Sequence, residues 1–217
     1  MARKAGSRNA DYPEQRTTLA RKVREVLMTD EGFRSSLREL AQAAGTSPGT
    51  LRHYFKDREG LVAAALETLV ADAAPYVAEA AVVKDRDLRR SLGGYLAGIR
   101  TAWFRYGVGN LQARSLAHGL ASKALGPAYV NYVLEPLLQS AETLLRRHVE
   151  LGDLTPCDPR HAALELLSPV LLGLLHQDSL SGASCRPLDL DAFFADHVER
   201  FLKAFPPMPP KLELPLP

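Results

Sequence analysis

A glycine nine positions after a serine sets the tightest limit on what this chain can fold into. Ser36-Leu37-Arg38-Glu39 has the form of a capping box, in which serine and glutamate side chains satisfy orphan backbone donors reciprocally. Gly45 then breaks that helix after about two turns. Ser47 is a good N-cap, and Pro48 falls at the first helical position, where its missing N–H costs nothing. The pattern predicts two short helices, Ser36 to Ala44 and Ser47 to Phe55. Two short helices joined by a tight glycine turn make a helix-turn-helix, or else a plain αα-hairpin.

The rest of the chain also reads as helix. Apolar residues recur at spacings of three and four, with no sustained alternation of period two. Residues 1–15 are polar and broken by Gly6 and Pro13, and are read as a flexible arm. A first helix is expected from Thr17 to Thr29, with Leu19, Val23, Val26 and Leu27 on one stripe. Asp57 caps a helix from Arg58 that Pro75 should end or kink. Longer helices follow at 87–106, 110–125, 127–151, 158–180 and 189–205, with Pro136 bending the third and Pro169 the fourth. The tail from Pro206 carries six prolines in twelve residues and is expected to be extended. The expected organisation is an arm (1–15), a helix-turn-helix domain (16–60), a helical bundle (61–205) and a proline-rich tail (206–217).

Composition narrows the function classes. The longest uncharged stretch in the apolar zone, Leu166 to Gln177, is too short to cross a bilayer, which needs roughly 20 apolar residues. No membrane partner and no signal peptide are expected. Cys157 and Cys185 stand far apart without a CxxC, which fits a reduced, cytoplasmic protein. The net charge is +2, unevenly spread. Residues 1–60 hold 12 basic and 8 acidic residues, so the first quarter is the part suited to an anionic partner.

Duplex DNA is the partner that the Ser36–Leu61 stretch fits best. The second short helix can lie in a major groove with its first residues at the base edges. Gly49 and Thr50 are small enough for close approach. Arg52 can read guanine or hold a phosphate, and His53 can donate or accept on a base edge. Tyr54, Lys56 and Arg58 are spaced to reach flanking phosphates. Ser35, Ser36 and Arg38 can clamp the backbone on the other side. Ser47 and Pro48 complete the candidate interface at the helix start.

The stretch Ser36 to Leu61 strongly resembles the DNA-binding domain of the TetR family of transcriptional regulators. The resemblance rests on Ala44-Gly45-x-Ser47-x-Gly49-x-Leu51-x-x-Tyr54-Phe55, then a basic residue, an acidic residue and Leu61. It covers about residues 17 to 70. Thr46 departs from the family's usual valine, the Met28–Gly32 loop is one residue longer than usual, and Leu27 or Met28 replaces a phenylalanine. The resemblance implies an all-α protein with a three-helix DNA-binding domain and a C-terminal bundle. It implies a homodimer on a palindromic operator, acting as a repressor that a small-molecule effector releases. The fourth helix would act as the lever between the two domains. Thr50, Tyr54 and Arg58 match positions that commonly meet phosphates. Gly49, Arg52 and His53 match positions that face bases, and Ser36 and Arg38 match contacts of the second helix.

Beyond residue 80 the candidates are less specific. Trp103, Phe104 and Tyr106 cluster on one helix, and Tyr129 and Tyr132 on another. Arg105, Gln112, Arg114, His118 and His176 could converge with them on an effector in an apolar cavity with a few polar groups. Leu166, Val170, Leu174, Phe194, Val198 and Phe201 are the expected dimer seam, joined by Ala162, Phe193 and Leu202. An enzyme or a small-molecule-binding bundle is the alternative reading. No HExxH, GxSxG, GxxxxGK[ST] or diiron ExxH pair is present. The six histidines show no metal spacing, and His161 and His197 are expected at the surface. No catalytic residue, metal or cofactor is expected.

Overall fold

The computed structural model describes residues 11–27 and 29–209, and every named element among them is helical. The helices are α1 (Tyr12–Leu27), α2 (Asp30–Arg34), α3 (Leu37–Ala43), α4 (Pro48–Phe55), α5 (Arg58–Ala80), α6 (Leu88–Arg105) and α7 (Val108–Ala121). They continue as α8 (Gly126–Tyr129), α9 (Glu135–Glu150), α10 (Pro159–Leu174), α11 (Gly182–Cys185) and α12 (Leu190–Ala204). Segments with π-helical bonding, Val130–Leu134 and Leu175–Ser179, join α8 to α9 and extend α10.

Several expected boundaries shift, each for a local reason. α1 begins at Tyr12, so the last part of the expected arm is helical. Pro13 lies in the first turn, where no intrahelical N–H is needed. Residues 1–10 of the arm lie outside the described residues. Pro75 does not end α5, which runs on to Ala80. Before Pro136 the chain widens into a π turn, a wider bonding pattern that interrupts the regular i→i−4 ladder just ahead of the proline ring. α2 was not expected. Thr29 caps it, its Oγ1 accepting from the Gly32 N–H at 3.0 Å. Any side chain at position 32 would meet the Val26 carbonyl oxygen, 1.8 Å from where a Cβ would sit.

The chain divides into two compact units. One comprises Met1–Ala74 with Asn110–Pro136, the other Pro75–Gly109 with Leu137–Pro217. The division falls inside α5 at Pro75. The first unit thus takes in α7 and α8 as well as the helix-turn-helix, a wider grouping than residues 16–60.

In the first unit the apolar stripe of α1 (Ala20, Val23, Leu27) packs with Leu40, Ala41, Leu51, Phe55, Leu61, Val62, Leu66 and Leu125. Burial of each large side chain contributes about 1.5–3 kcal/mol. Arg16–Glu67 and Arg21–Asp72 add surface ion pairs between α1 and α5, and Arg24 reaches both Asp72 and the Thr68 hydroxyl. By length and composition α5 could cross a bilayer, but its Leu61, Val62, Ala65 and Leu66 edge belongs to this core.

In the second unit α6, α10 and α12 pack on one another. Leu166, Val170, Leu174, Phe194, Val198 and Phe201 are all buried within the single chain, as are Ala162 and Leu202. These eight are interior residues and not a free seam. The stripe that looked surplus in the sequence is consumed by α6, whose Leu92 and Leu96 are also buried. What α10 leaves outside is Leu164 and Leu172, the latter 66% exposed. His197 is also buried rather than exposed. Position 197 lies mid-helix in α12, and its Nε2 sits 2.9 Å from the Leu166 carbonyl oxygen on α10. His161 is at the surface as expected.

A hydroxyl–imidazole–carboxylate chain staples α9 to α6. His148 is fully buried, with Nε2 2.8 Å from Ser91 Oγ and Nδ1 3.0 Å from Asp153 Oδ2. Arg86 claims both Asp153 oxygens, which holds that carboxyl below the usual range. Ser91 sits in the first turn of α6 with its own N–H given to the Asp87 carbonyl. The imidazole is fully enclosed, and this chain of bonds ties α9 to the first turn of α6. Nearby, the start of the tail is extended: Pro207 bridges Leu154, and the Met208 N–H donates to the Asp153 carbonyl. Residues 210–217 of the tail lie outside the described residues.

Candidate nucleic-acid interface

The geometry of α3, its turn and α4 follows from local chemistry. The Ser36 N–H donates to Glu39 Oε2 at 2.7 Å and the Glu39 N–H donates to Ser36 Oγ at 3.4 Å, closing the capping box. The Ser36 N–H, with the Ser36 side chain second, holds the Glu39 carboxyl below its ordinary range. Gly45 takes φ +67°, the left-handed conformation that glycine adopts most cheaply after a helix. The Thr46 N–H returns to the Ala41 carbonyl at 2.9 Å. Ser47 Oγ accepts from the Thr50 N–H at 3.0 Å and lies 2.9 Å from Thr50 Oγ1.

α4 therefore has a fixed rotation. Leu51 and Phe55 are buried on the core, and Gly49, Arg52, His53 and Lys56 face solvent. The exposed four recur at three, one and three positions, which places them on one side of a helix. Space is open at Gly49, where the nearest atom to a Cβ would be Ser47 Oγ at 3.6 Å. Arg38 is exposed on α3, Ser36 is exposed at its cap, and Ser35 and Pro48 are half-buried. Lys56 closes α4 at φ 70°, and Asp57 Oδ1 accepts from the Gly60 N–H at 2.7 Å to start α5.

Three of the twelve candidates are more engaged than their spacing implied. Arg58 is half-buried, and its Nε donates to the Ser35 carbonyl at 2.8 Å. Its guanidinium is drawn inward to the residue before α3. Tyr54 is half-buried and its hydroxyl donates to Gln15 Oε1. The Thr50 hydroxyl is shared with Ser47. Sequence reasoning missed Tyr12 and Gln15. Tyr12 packs on Tyr54 with ring centroids 4.7 Å apart and stands edge-to-face with His53 at 5.7 Å and 81°. Spacing held the signal, because Tyr12, Arg16, Leu19 and Val23 continue one helical stripe.

The effector candidates do not fall in one unit. Arg114, His118, Tyr129 and Tyr132 lie in the first, and Trp103, Phe104, Tyr106 and His176 in the second. Phe104 and Tyr106 point outward, 51% and 77% exposed, and Arg105 beside them is also exposed. Phe104 is near the end of α6 and Tyr106 just past it, so neither ring is interior. Trp103 is buried, its Nε1–H donating to Asp178 Oδ2 at 2.8 Å beside the π segment 175–179. A Cβ at Gly109 would lie 2.3 Å from Trp103 Nε1, so the indole rests on glycine backbone. His176 Nδ1 is 2.7 Å from Gln177 Nε2. In the first unit Gln112 donates to the Tyr129 hydroxyl at 3.3 Å, and Arg114 donates to Asn110 Oδ1 and to the Thr29 carbonyl. Burial, with the charges of Arg58 and Arg114, brings the His118 pKa down to about 4, and that ring is neutral at physiological pH. Among the described residues no group of three or more His, Cys, Asp or Glu is placed to hold a metal.

A short all-α unit presenting one capped helix with a basic outer face is the arrangement of a helix-turn-helix DNA-binding protein. Residues 25–65 match the family described as bacterial regulatory proteins, tetR family. Over most of its length the chain also shares its fold with solved structures. A TetR-family transcriptional regulator from Mesorhizobium loti is 17% identical with a TM-score of 0.65, over 91% of this chain and 99% of that one. The repressor of the SmeDEF multidrug efflux pump of Stenotrophomonas maltophilia, SmeT, is 19% identical with a TM-score of 0.57, over 95% and 100%. A SmeT–triclosan complex is 20% identical with a TM-score of 0.56, over 94% and 99%. No curated protein sequence matches. The helix-turn-helix segment thus matches the tetR-family model of bacterial regulatory proteins, and the chain shares its fold with solved structures of regulators of that kind.

Proposed function

We propose that the protein is a repressor that binds a palindromic operator as a homodimer and leaves it when a small molecule binds. The observation that carries the reading is the rotation of α4. Its apolar edge is spent on the core, and Gly49, Arg52, His53 and Lys56 are all turned to solvent. Arg52 and His53 read base edges, Lys56 and Arg38 hold phosphates, and Ser36, Ser47, Pro48 and Thr50 set the approach. Ser35 and Arg58 act together, the arginine fixing the carbonyl that precedes α3.

The repressor role and the effector are supported by likeness to SmeT, a repressor, and to its complex with triclosan. Trp103 and His176 are the residues proposed at the effector, because both stand at the π segment 175–179, and π-bulges recur at functional sites. The proposed dimer forms through the outward face of α10 that carries Leu164 and Leu172, since exposed apolar surface of this kind marks association sites.

The test has three parts. Duplexes bound by the protein are selected from a random pool, the stoichiometry on the winning duplex is measured, and triclosan is titrated against the complex as a probe of release. The reading expects an inverted repeat, two chains per duplex, and release with the probe recovered unaltered. A chain that enriches no sequence, or one that chemically converts the probe, would overturn it in favour of a small-molecule-binding or enzymatic bundle.

A further inference from the structure

We propose that Tyr12, at the first turn of α1, is a positioning residue that sets the base preference read by His53. The inference rests on the DNA-reading role of α4 given above. His53 is exposed on the outer face of α4, and an exposed imidazole on a helix has several open rotamers. Two rings limit them here. Tyr12 stands edge-to-face with His53 at 5.7 Å and 81°, and Tyr54 does the same from the neighbouring position at 5.1 Å and 76°. Tyr54 is itself held at both ends. Its ring packs on Tyr12 at 4.7 Å and its hydroxyl donates to Gln15, one turn along α1. Next to it the Arg16 guanidinium lies 5.6 Å from the Phe55 ring centre. The start of α1 thus grips the last turn of α4 through Tyr12, Gln15 and Arg16, and His53, the exposed ring of that cluster, is the one suited to a base edge.

A reading side chain discriminates only when it is held in one geometry, because a mobile imidazole can satisfy several bases in turn. Edge-to-face aromatic pairs contribute enough to change a rotamer population by roughly two- to thirteen-fold. That range is the expected loss of preference at one base position of each half-site when the Tyr12 ring is removed. Contacts made by Arg52 on the adjacent position should be untouched.

The experiment compares sequence selection by the full-length wild-type chain, Tyr12→Leu, Tyr12→Phe, His53→Ala and the Tyr12→Leu/His53→Ala double variant. Leucine keeps the apolar bulk of the first turn, and melting curves confirm that each variant is folded. Tyr12→Leu should flatten the same base position as His53→Ala, the double variant should be no flatter than His53→Ala alone, and Tyr12→Phe should restore the wild-type profile. Uniformly weaker binding to every duplex by Tyr12→Leu would make Tyr12 merely structural and overturn the proposal. A flattened position that differs from that of His53→Ala would overturn it too. Absence of any enriched sequence with the wild-type chain would instead refute the DNA-reading function itself, so the two failures are distinguishable.

Discussion

Arg58→Ala should weaken the protein's cohesion and leave the salt dependence of its DNA binding nearly intact. From sequence, Arg58 reads as a phosphate contact, and its removal would then flatten that dependence. The structure turns its Nε onto the Ser35 carbonyl at 2.8 Å. A hydrogen bond from a charged donor at a half-buried site contributes about 1.5 kcal/mol. For a chain of this length each kcal/mol moves the melting temperature by about 2–4 °C, so the variant should melt about 3–6 °C lower. Lys56 is exposed at the end of α4 and provides the contrast. Losing one phosphate contact in each of two protomers lowers the slope of log K against log salt by about 1.8. Between 50 and 200 mM salt, that is a change of about twelvefold in relative affinity. The assay is fluorescence anisotropy on a selected duplex across a salt series, with thermal melting of the same samples. Lys56→Gln should change the slope and not the melt, and Arg58→Ala the reverse. An Arg58→Ala protein with wild-type melting and a slope lower by about 1.8 would refute the inward assignment.

Other expectations follow from the same geometry. Phe194→Ala should cost about 3–5 kcal/mol of protomer stability, because the ring is interior, whereas Leu172→Glu should shift the proposed dimer toward monomer in sedimentation without lowering protomer helicity. Gly60→Ala places a Cβ 2.1 Å from the Phe55 carbonyl oxygen and should lower both the melting temperature and DNA affinity, since the start of α5 must move. The Asp153 carboxyl is held low by Arg86, so its stabilising contribution is present above the unfolded carboxylate range near pH 4 and is lost as pH falls through the lower folded value. Asp153→Asn should flatten that acid limb in pH-dependent melting, and an unchanged limb would count against the staple between α6 and α9.

The helix-turn-helix was legible because its signals are local. A capping box, a glycine at a left-handed position and a serine–proline start act within a few residues, and α3, the turn and α4 fall within a residue or two of expectation. α10 and α12 were also placed well, each by an aspartate cap. Long-range packing was not legible. The stripe Leu166, Val170, Leu174 looks the same in sequence whether α6 covers it or a second chain does, and only the fold shows α6 there. Position 197 reads as an exposed histidine until the Leu166 carbonyl is found opposite it. Pro13 reads as a breaker unless its place in the first turn is known, and that hid Tyr12 and Gln15 from the interface. For the effector set, aromatic spacing did not separate the buried Trp103 from the outward Phe104 and Tyr106, which are neighbours on or just beyond one helix.

The most direct test of the outward α4 face is a comparison of the duplexes selected by the wild-type chain and by Arg52→Ala. The wild type should enrich an inverted repeat whose half-site centres lie about 34–36 Å apart or a multiple of that. Arg52→Ala should retain the repeat and lose discrimination at one position in each half, by about 1–3 kcal/mol. Identical enrichment by the two proteins, or a wild-type chain that prefers no sequence, would contradict the account.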